Sequence, residues 1–263
     1  MWFDLFIEEH GVIRRAINAL LISASSSYML SERDSIEQVL PLYKEFKNIF
    51  IDSCHHKKEE ALADLLVSHG YKLSRDFTSL HSIVRDRFKD LMAAYVAGDR
   101  GEVLASKAAV YYEAMEDHIE DEERAIFTEI LNAMSKTGIS DHEIEYVLKE
   151  IEAALGEEIH ERMIELVGEM ENKLSSNLMR NRAVAMNVIT IKPYERHVLI
   201  KKTIQEMKVE GAYRLILIND HEPVPLYYEL LHTEACFDES LFKSKQLSSR
   251  IWVSLIVLKK ECK

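Results

Sequence analysis

Two His-x-x-x-Glu steps constrain this chain more than any other feature of its sequence. They are His55 with Glu59 and His118 with Glu122, and apolar residues at helical spacing follow each step. Because an α-helix turns once in about 3.6 residues, side chains four apart stand one above the other and can close on one metal ion. Two helices carrying such steps and facing each other would hold two metal ions.

Two further histidines are predicted at the same depth of a helical bundle. The reversal at residues 97–101 lies roughly 18 residues after His81 and before His118, so antiparallel helices would carry both at one level. His10 reaches the same layer if the chain turns within the serine-rich run 23–27. The spacing therefore predicts an antiparallel four-helix bundle in which four imidazoles and two carboxylates meet.

Residues from about 5 to 135 resemble the hemerythrin/HHE cation-binding family, a four-helix bundle that holds a non-haem di-iron centre. The phrases that carry the resemblance are residues 9–15, 55–60, 80–85 and 118–123. The resemblance implies histidines as terminal ligands and glutamates as bridges between two irons, and these residues are His10, His55, His81, His118, Glu59 and Glu122.

One position departs from the oxygen-carrying hemerythrins. Those proteins place a second histidine one turn after the position that matches His81, and this chain has Arg85 there. A five-histidine oxygen carrier is therefore less favoured. The set of four histidines and two carboxylates is more similar to the bacterial iron-centre repair proteins and the hemerythrin-like sensors.

The residue types favour iron, with manganese as the second choice. Imidazole binds several transition metals, while carboxylate is a harder, anionic ligand that can bridge two cations. Zinc would favour closed sites with cysteine, and Cys54, Cys236 and Cys262 form no cluster in the sequence. We expect two iron ions, bridged by carboxylate and oxo groups, with positions open to oxygen, nitric oxide or peroxide.

Several histidines and one cysteine admit other interpretations. His56 with Glu60 is an alternative step on the neighbouring helix face, although the parallel with His118 and Glu122 favours His55 and Glu59. Surface placement is expected for His69, His142 and His160. Cys54 is either redox-active or a small buried apolar residue, of which the second is the commoner role.

Composition excludes some classes of function. The chain has 33 Lys and Arg against 45 Asp and Glu, a formal net charge of -12, which disfavours nucleic acid as a partner. Residues 1–9 lack the positive start of a signal peptide, and no apolar run reaches the length of a membrane span. We therefore expect a cytoplasmic protein without a membrane partner.

The sequence divides into three predicted segments, in an α plus α/β two-domain arrangement. Residues 1–136 form the bundle, 137–186 form connecting helices, and 187–263 form a small α/β sandwich. Ser140 followed by Glu143 predicts a capping box at the first connecting helix. The apolar stripe of these helices would pack on the bundle, on the C-terminal domain or on a second subunit, the last making a homodimer.

The C-terminal segment reads as alternating strands and helices. The predicted order is strand 187–191, helix 195–209, strand 213–218, helix 225–232 and closing antiparallel strands that end with 251–259. The segment resembles a small uncharacterised domain family that is related in fold to the TusA-like sulfur carriers and often fused to hemerythrin-like bundles. Those carriers have a cysteine beside proline at the first helix start. This chain has Glu195-Arg196-His197 there, so persulfide transfer is disfavoured.

A second site is predicted at the edge of that domain. Arg196, His197, Asp220 and His221 would gather where strand ends meet helix starts, a common place for an anionic ligand. The alternative is structural: Asp220 would cap a turn and His221 would bind backbone in a tight loop.

Two functions remain open at this point. One is a cytoplasmic di-iron protein that binds or reacts with oxygen, nitric oxide or peroxide in stress or iron-centre chemistry. The other is a non-catalytic module that senses iron or oxygen and signals to a protein partner through its C-terminal domain. A metal-free helical scaffold is a third class if the six ligands do not converge, and the sequence does not decide whether the protein is an enzyme.

Overall fold

The computed structural model describes residues 2–156 and 158–260 of the chain. The chain divides into two compact units. One contains the start of α1 up to Ile17 with Leu40–Asp90 and Tyr111–Met170, and the other contains Asn18–Val39, Leu91–Val110 and the chain from Glu171 onward. Within the described ranges, no helix has the length and apolar character needed to cross a membrane.

The N-terminal half is built from four helical stretches, two of which contain a π-helical segment. The first stretch is α1 (Trp2–Leu30), and the second runs through α2 (Asp34–Phe46), the first π segment (Lys47–His55) and α3 (His56–Ser68). The third is α4 (Phe77–Val96), and the fourth runs through α5 (Glu102–Asp121), the second π segment (Glu122–Ile126) and α6 (Phe127–Thr137). The predicted bundle of helices is confirmed.

The expected turn at residues 23–27 is wrong, because α1 continues through these serines to Leu30. The serines are buried, and some of them contact the next helix: the Ser35 hydroxyl donates to Ser23 Oγ at 3.1 Å, and Ser27 Oγ accepts from the Ile36 backbone N–H at 3.3 Å. Helix propensity is a weak prior that tertiary contacts override. The chain reverses instead at Ser31, whose φ of 54° is left-handed.

Two apolar layers border the histidines within the first unit. On one side, Trp2 and Phe6 pack edge-on or tilted against Phe127, with ring centroids 5.7 and 5.6 Å apart. On the other side, the hydroxyls of Tyr43 and Tyr111 share a buried hydrogen bond of 2.7 Å. Dense packing of this kind keeps side chains in fixed rotamers.

Connecting helices follow the bundle. They are α7 (Asp141–Leu155) and α8 (Ile159–Arg180), and Gly156 separates them with a φ of 102°. The predicted capping box is present, since Ser140 accepts from the Glu143 backbone N–H and the Glu143 carboxylate accepts from the Ser140 N–H. α7 packs along α3 through Ile144 and Leu148.

The C-terminal part forms a mixed four-stranded sheet with two helices. The elements are β1 (Ala183–Asn187), α9 (Pro193–Glu210), β2 (Arg214–Asn219), α10 (Val224–Thr233), a 3-10 turn (Glu239–Leu241), β3 (Lys243–Gln246) and β4 (Trp252–Val257). The strand order is β1-β2-β4-β3, with β1 parallel to β2 and the other pairs antiparallel. This confirms an α/β domain with antiparallel closing strands.

The first strand lies four residues before its predicted position. β1 pairs with β2 in a register that sets Ala183 opposite Arg214 and Asn187 opposite Ile218. After it the chain turns, because Asn187 Oδ1 accepts from the Ile189 N–H at 3.0 Å. The β-branched run 188–191 has the higher strand propensity, but pairing with a neighbour decides strand position more than propensity does.

Candidate metal centre

The six residues predicted as ligands meet in one buried cluster. His10 comes from α1, His55 from the end of the first π segment, Glu59 from α3, His81 from α4, His118 from α5 and Glu122 from the start of the second π segment. None of them is more than 4% exposed. Residues that are distant in sequence therefore share one depth of the bundle, as their spacing predicted.

Each of the two carboxylates lies between two imidazoles. Glu59 Oε1 is 3.1 Å from His55 Nε2, and Glu59 Oε2 is 2.9 Å from His81 Nε2. Glu122 is arranged in the same way, with Oε1 3.2 Å from His118 Nε2 and Oε2 3.3 Å from His10 Nε2. Four Nε2 atoms therefore converge on two carboxylates.

The donor atoms fall into two overlapping groups. In the first, His10, His55, Glu59 and Glu122 each offer one atom, all within 4.8 Å of one another. In the second, Glu59 is joined by His56, His81 and His118 at the same closeness. Nitrogen and carboxylate oxygen are the donors that iron and manganese accept, so the arrangement suits two cations with Glu59 between them.

Carboxylates outside the cluster orient three of the imidazoles. The outward Nδ1 atoms lie at hydrogen-bond distance from acidic side chains: His55 from Glu9 at 2.7 Å, His10 from Glu123 at 3.0 Å, and His81 from Glu60 at 3.1 Å. Histidines that bind metals usually donate their other N–H in this way, which fixes the ring and turns the free nitrogen inward.

Several ligand atoms that point into the cluster lack a hydrogen bond. Such atoms show whether a cation would fit, because a cation could pair with them. Within the part of the chain that the structure describes, the Nε2 atoms of His10, His55 and His118 and both oxygens of Glu122 make no hydrogen bond of acceptable geometry, although they lie 3.1–3.3 Å from the facing groups. Leaving such buried polar atoms unpaired costs about 1–3 kcal/mol each. A pair of cations would satisfy these atoms, so the residues fit the metal centre that their spacing predicts.

The two carboxyls differ in their electrostatic surroundings. Burial raises the pKa of both, but the imidazoles, His55 first, outweigh it at Glu59 and hold its pKa well below the ordinary value. At Glu122 burial and the charge of Glu59 act together, so its pKa is raised well above the ordinary value. Burial also lowers the pKa of His55, yet Glu59 and Glu9 overcome this and raise it to about 9.

Both ligand steps coincide with π-helical segments. The first π segment ends at His55 and the second begins at Glu122. π segments widen the helix by one residue per turn and occur often at functional sites. The residue types in these segments give no sequence signal for π geometry, so periodicity alone could not predict them.

His56, which the sequence offered only as part of an alternative step, is also a member of the cluster. It is fully buried, and its ring stacks on His81 with centroids 3.8 Å apart. Burial lowers its pKa to about 4. Glu60, the other residue of the alternative step, is in neither donor group and lies 3.1 Å from His81 Nδ1. The sequence signal that could have pointed to His56 is the pair of consecutive histidines a few residues before Glu59.

A fully buried lysine stands behind the cluster. Lys58 contacts Glu9, which holds His55, and its ammonium also lies 2.5 Å from Glu152 on α7. Glu152 in turn is 3.0 Å from His160 Nε2. A chain of charged contacts therefore runs from a predicted ligand to the connecting helices.

Cys54 belongs to the apolar surroundings of the cluster. It is a buried free thiol, and burial raises its pKa to about 12. The thiolate, which is the reactive form, is therefore disfavoured at neutral pH. These properties match a small buried apolar residue.

The C-terminal residues form a different kind of cluster. The Arg196 guanidinium donates to the carbonyls of Ile189 and Ile191 and to Asp220 Oδ1, at 2.7–3.0 Å. Asp220 is also 2.5 Å from His221 Nδ1. His197 instead pairs with Glu229 at 2.8 Å, although it lines the same cavity of about 190 Å³ as Arg196 and His221. The ligand site at this edge stays a prediction.

Comparison with known protein families agrees with both parts of the chain. Residues 3–130 match the model of the hemerythrin HHE cation binding domain, and residues 185–244 match that of an uncharacterised conserved protein family, DUF2249. No curated protein and no solved structure matches the chain.

Proposed function

Since residues 3–130 form a hemerythrin HHE cation binding domain, we propose that this protein is a non-haem di-iron protein that binds or reacts with oxygen, nitric oxide or peroxide. The observation that carries this proposal is the pair of donor groups that share Glu59. A single cation would use only one of them. We propose that His10, His55, His81 and His118 hold the irons and that Glu59 and Glu122 join them.

The surroundings of the cluster support a site with controlled access. Phe127 stacks on His10 and Phe77 stacks on His81, with ring centroids 5.8 and 5.9 Å apart, so rings cover the imidazoles. The outer carboxylates Glu9 and Glu123 keep the imidazoles turned inward. A bound iron pair would supply the redox chemistry toward oxygen, nitric oxide or peroxide.

The test is metal content by elemental analysis of protein purified without added metal, together with absorption spectra after dithionite and after air. Two irons per chain and an absorption band that bleaches on reduction and returns in air are the expected results. Two manganese ions would keep the site and change the metal. Failure of the chain to bind either metal after anaerobic reconstitution would contradict the proposal.

Turnover is a separate question with a separate assay. Iron-loaded protein is mixed with a large excess of peroxide or nitric oxide, and consumption is followed over time. Consumption beyond the iron concentration supports a reactive centre. Binding that stops at one ligand per iron pair supports a carrier or sensor.

The second candidate is an iron or oxygen sensor, and the contact between Lys58 and Glu152 favours it. Glu152 lies on α7, the helix that leads along the chain toward the C-terminal domain. If metal occupancy changes the charge on His55 and Glu9, it also changes the surroundings of Lys58 and therefore this contact. Hydrogen exchange along α7, measured with and without metal, tests this candidate. Equal exchange rates in both states would contradict it.

A further inference from the structure

We propose that His56 is a fifth nitrogen ligand, which completes a three-histidine position beside the two-histidine position of His10 and His55. This inference rests on the metal centre proposed above, and it adds a residue for which the predicted ligand set has no role. It also changes how the ligands are divided between the two metal positions. Glu59 would join a position formed by His56, His81 and His118 to the position formed by His10 and His55.

The first observation is that His56 is buried without a hydrogen bond to either ring nitrogen from the described chain. The residue is fully buried, and over the described residues both of its ring nitrogens lack a hydrogen bond. A buried histidine without a ligand is normally held by hydrogen bonds, because an unpaired polar group in an apolar setting is costly. A core role by itself therefore does not explain His56.

The second observation is the place of a His56 nitrogen among ligand atoms. It lies within 4.8 Å of one atom each from Glu59, His81 and His118. Its ring centroid is 5.4 Å from that of His118 and 3.8 Å from that of His81. Without His56 this position would have two imidazoles and one carboxylate, and with it the position gains a third nitrogen.

The backbone explains how two consecutive histidines can both face the cluster. The His56 N–H donates to the carbonyl of Ile51, a five-residue bond that belongs to π-helical geometry. The helix is therefore widened where His55 is followed by His56. An ordinary α-helix turns adjacent side chains about 100° apart, which would favour one of the two over the other.

An outer carboxylate also lies near His56, at a longer distance than those that hold three of the predicted ligands. His56 Nδ1 is 3.5 Å from Asp52 Oδ1. Asp52 is itself held by Lys47 at 2.5 Å and by Arg85 Nε at 3.5 Å. Arg85, which stands where the oxygen carriers have their extra histidine, therefore helps to fix the carboxylate nearest to His56 Nδ1.

The test counts metal-bound imidazoles directly. The full-length protein is labelled with ¹⁵N-histidine, loaded with Co²⁺, and its hyperfine-shifted, solvent-exchangeable imidazole N–H signals are counted by NMR. We expect five such signals in the natural protein. His56→Gln and His56→Phe should each show four, and one of the two cobalt ions should bind at least about tenfold more weakly. The Phe variant keeps a ring against His81, so it separates ligation from packing.

His69→Gln is the matched control, because His69 is exposed at the end of α3 and should leave all five signals. Cobalt binding with four signals in the natural protein would overturn the role of His56 and leave the proposed metal centre intact. Five signals in a folded His56 variant would also overturn it. Failure of the natural protein to bind cobalt would overturn both proposals together.

Discussion

The bundle and the C-terminal domain both contain a cluster of titratable side chains, but the two clusters differ in whether their buried polar atoms are hydrogen-bonded. In the bundle, imidazoles and carboxylates turn their inward atoms toward each other, and several of those buried atoms have no hydrogen bond among the residues described. In the C-terminal domain, Arg196 is nearly as buried, yet each of its nitrogens donates to an oxygen of the surrounding chain.

This difference separates a site that needs a ligand from a cluster that is complete. A protein interior pairs its polar groups, so a group of unpaired buried donors indicates something that the chain alone does not supply. Arg196 needs no ligand to explain its burial, because it ties the β1–α9 loop to the end of β2. A cluster of charged residues is therefore a weaker sign of a ligand site than a cluster whose buried polar atoms lack hydrogen bonds.

Replacement of Glu59 should have the largest effect. If Glu59 can be replaced without loss of metal, the bundle does not contain the ligand site that distinguishes it from the C-terminal domain. Glu59→Gln removes the carboxylate that both donor groups share, so we expect both metal ions to be lost. Elemental analysis of purified protein measures the effect. Glu120→Gln is the control, since Glu120 is exposed on the same helix as His118 and should keep the full metal content.

Replacement of the buried lysine, Lys58, should have the next largest effect, which is a loss of stability. Lys58→Met removes the ammonium that lies between Glu9 and Glu152, and breaking a buried ion pair in this way typically lowers the free energy of unfolding by about 3–5 kcal/mol. Urea unfolding of the metal-free protein gives the value. Lys57→Met, one residue earlier and 59% exposed, should change stability by less than about 1 kcal/mol. Equal effects of the two variants would contradict the buried network.

Replacement of Arg196 should affect stability alone. Arg196→Met leaves the carbonyls of Ile189 and Ile191 without their donor, so we expect unfolding to become easier by about 2–3 kcal/mol, with metal content unchanged. The same unfolding assay applies, with Lys202→Met on the exposed face of α9 as control. Unchanged stability combined with loss of binding to an anionic ligand would show that this cluster is a site after all.

The pH dependence of metal binding gives a smaller and more specific test. Glu59 and Glu9 raise the pKa of His55 to about 9, after overcoming burial, so this imidazole is protonated at pH 7 in the metal-free protein. A metal must displace that proton. Affinity should therefore rise by up to about tenfold per pH unit from 7 to 9, which is up to about 1.4 kcal/mol per unit, and this contribution should level off above 9.

Chelator competition at several pH values measures that slope. Glu9→Gln removes one of the carboxylates that raise the pKa of His55, so the levelling should begin at a lower pH in this variant. A flat profile between pH 7 and 9 in the natural protein would contradict the assignment of a protonated His55.

Much of the fold follows from periodicity and spacing. The helices around His55, His81 and His118, the reversal at residues 97–101 and the capping box at Ser140 all depend on residues near each other in sequence. The convergence of six residues was predictable because helix length converts residue number into depth. These signals are local, so they can be read from a single sequence.

The errors arose where contacts between distant residues decide the structure. α1 runs through its serines because Ser23 and Ser27 contact residues of the next helix. β1 takes its position from pairing with β2 rather than from its own residues. His56 enters the cluster because the helix widens at Ile51, and no residue type marks that change. The first two outcomes depend on residues that are distant in sequence, and the third depends on a local backbone geometry that the residue types do not mark.

The position of Glu59 in both donor groups has a consequence for how the chain would fill with metal. The first ion to bind would orient a carboxylate that the second ion also needs and would take up part of its negative charge, and binding free energies linked in this way are reciprocal. The affinity of either position therefore depends on whether the other is filled. A metal titration of this protein should accordingly deviate from the curve expected for two independent sites.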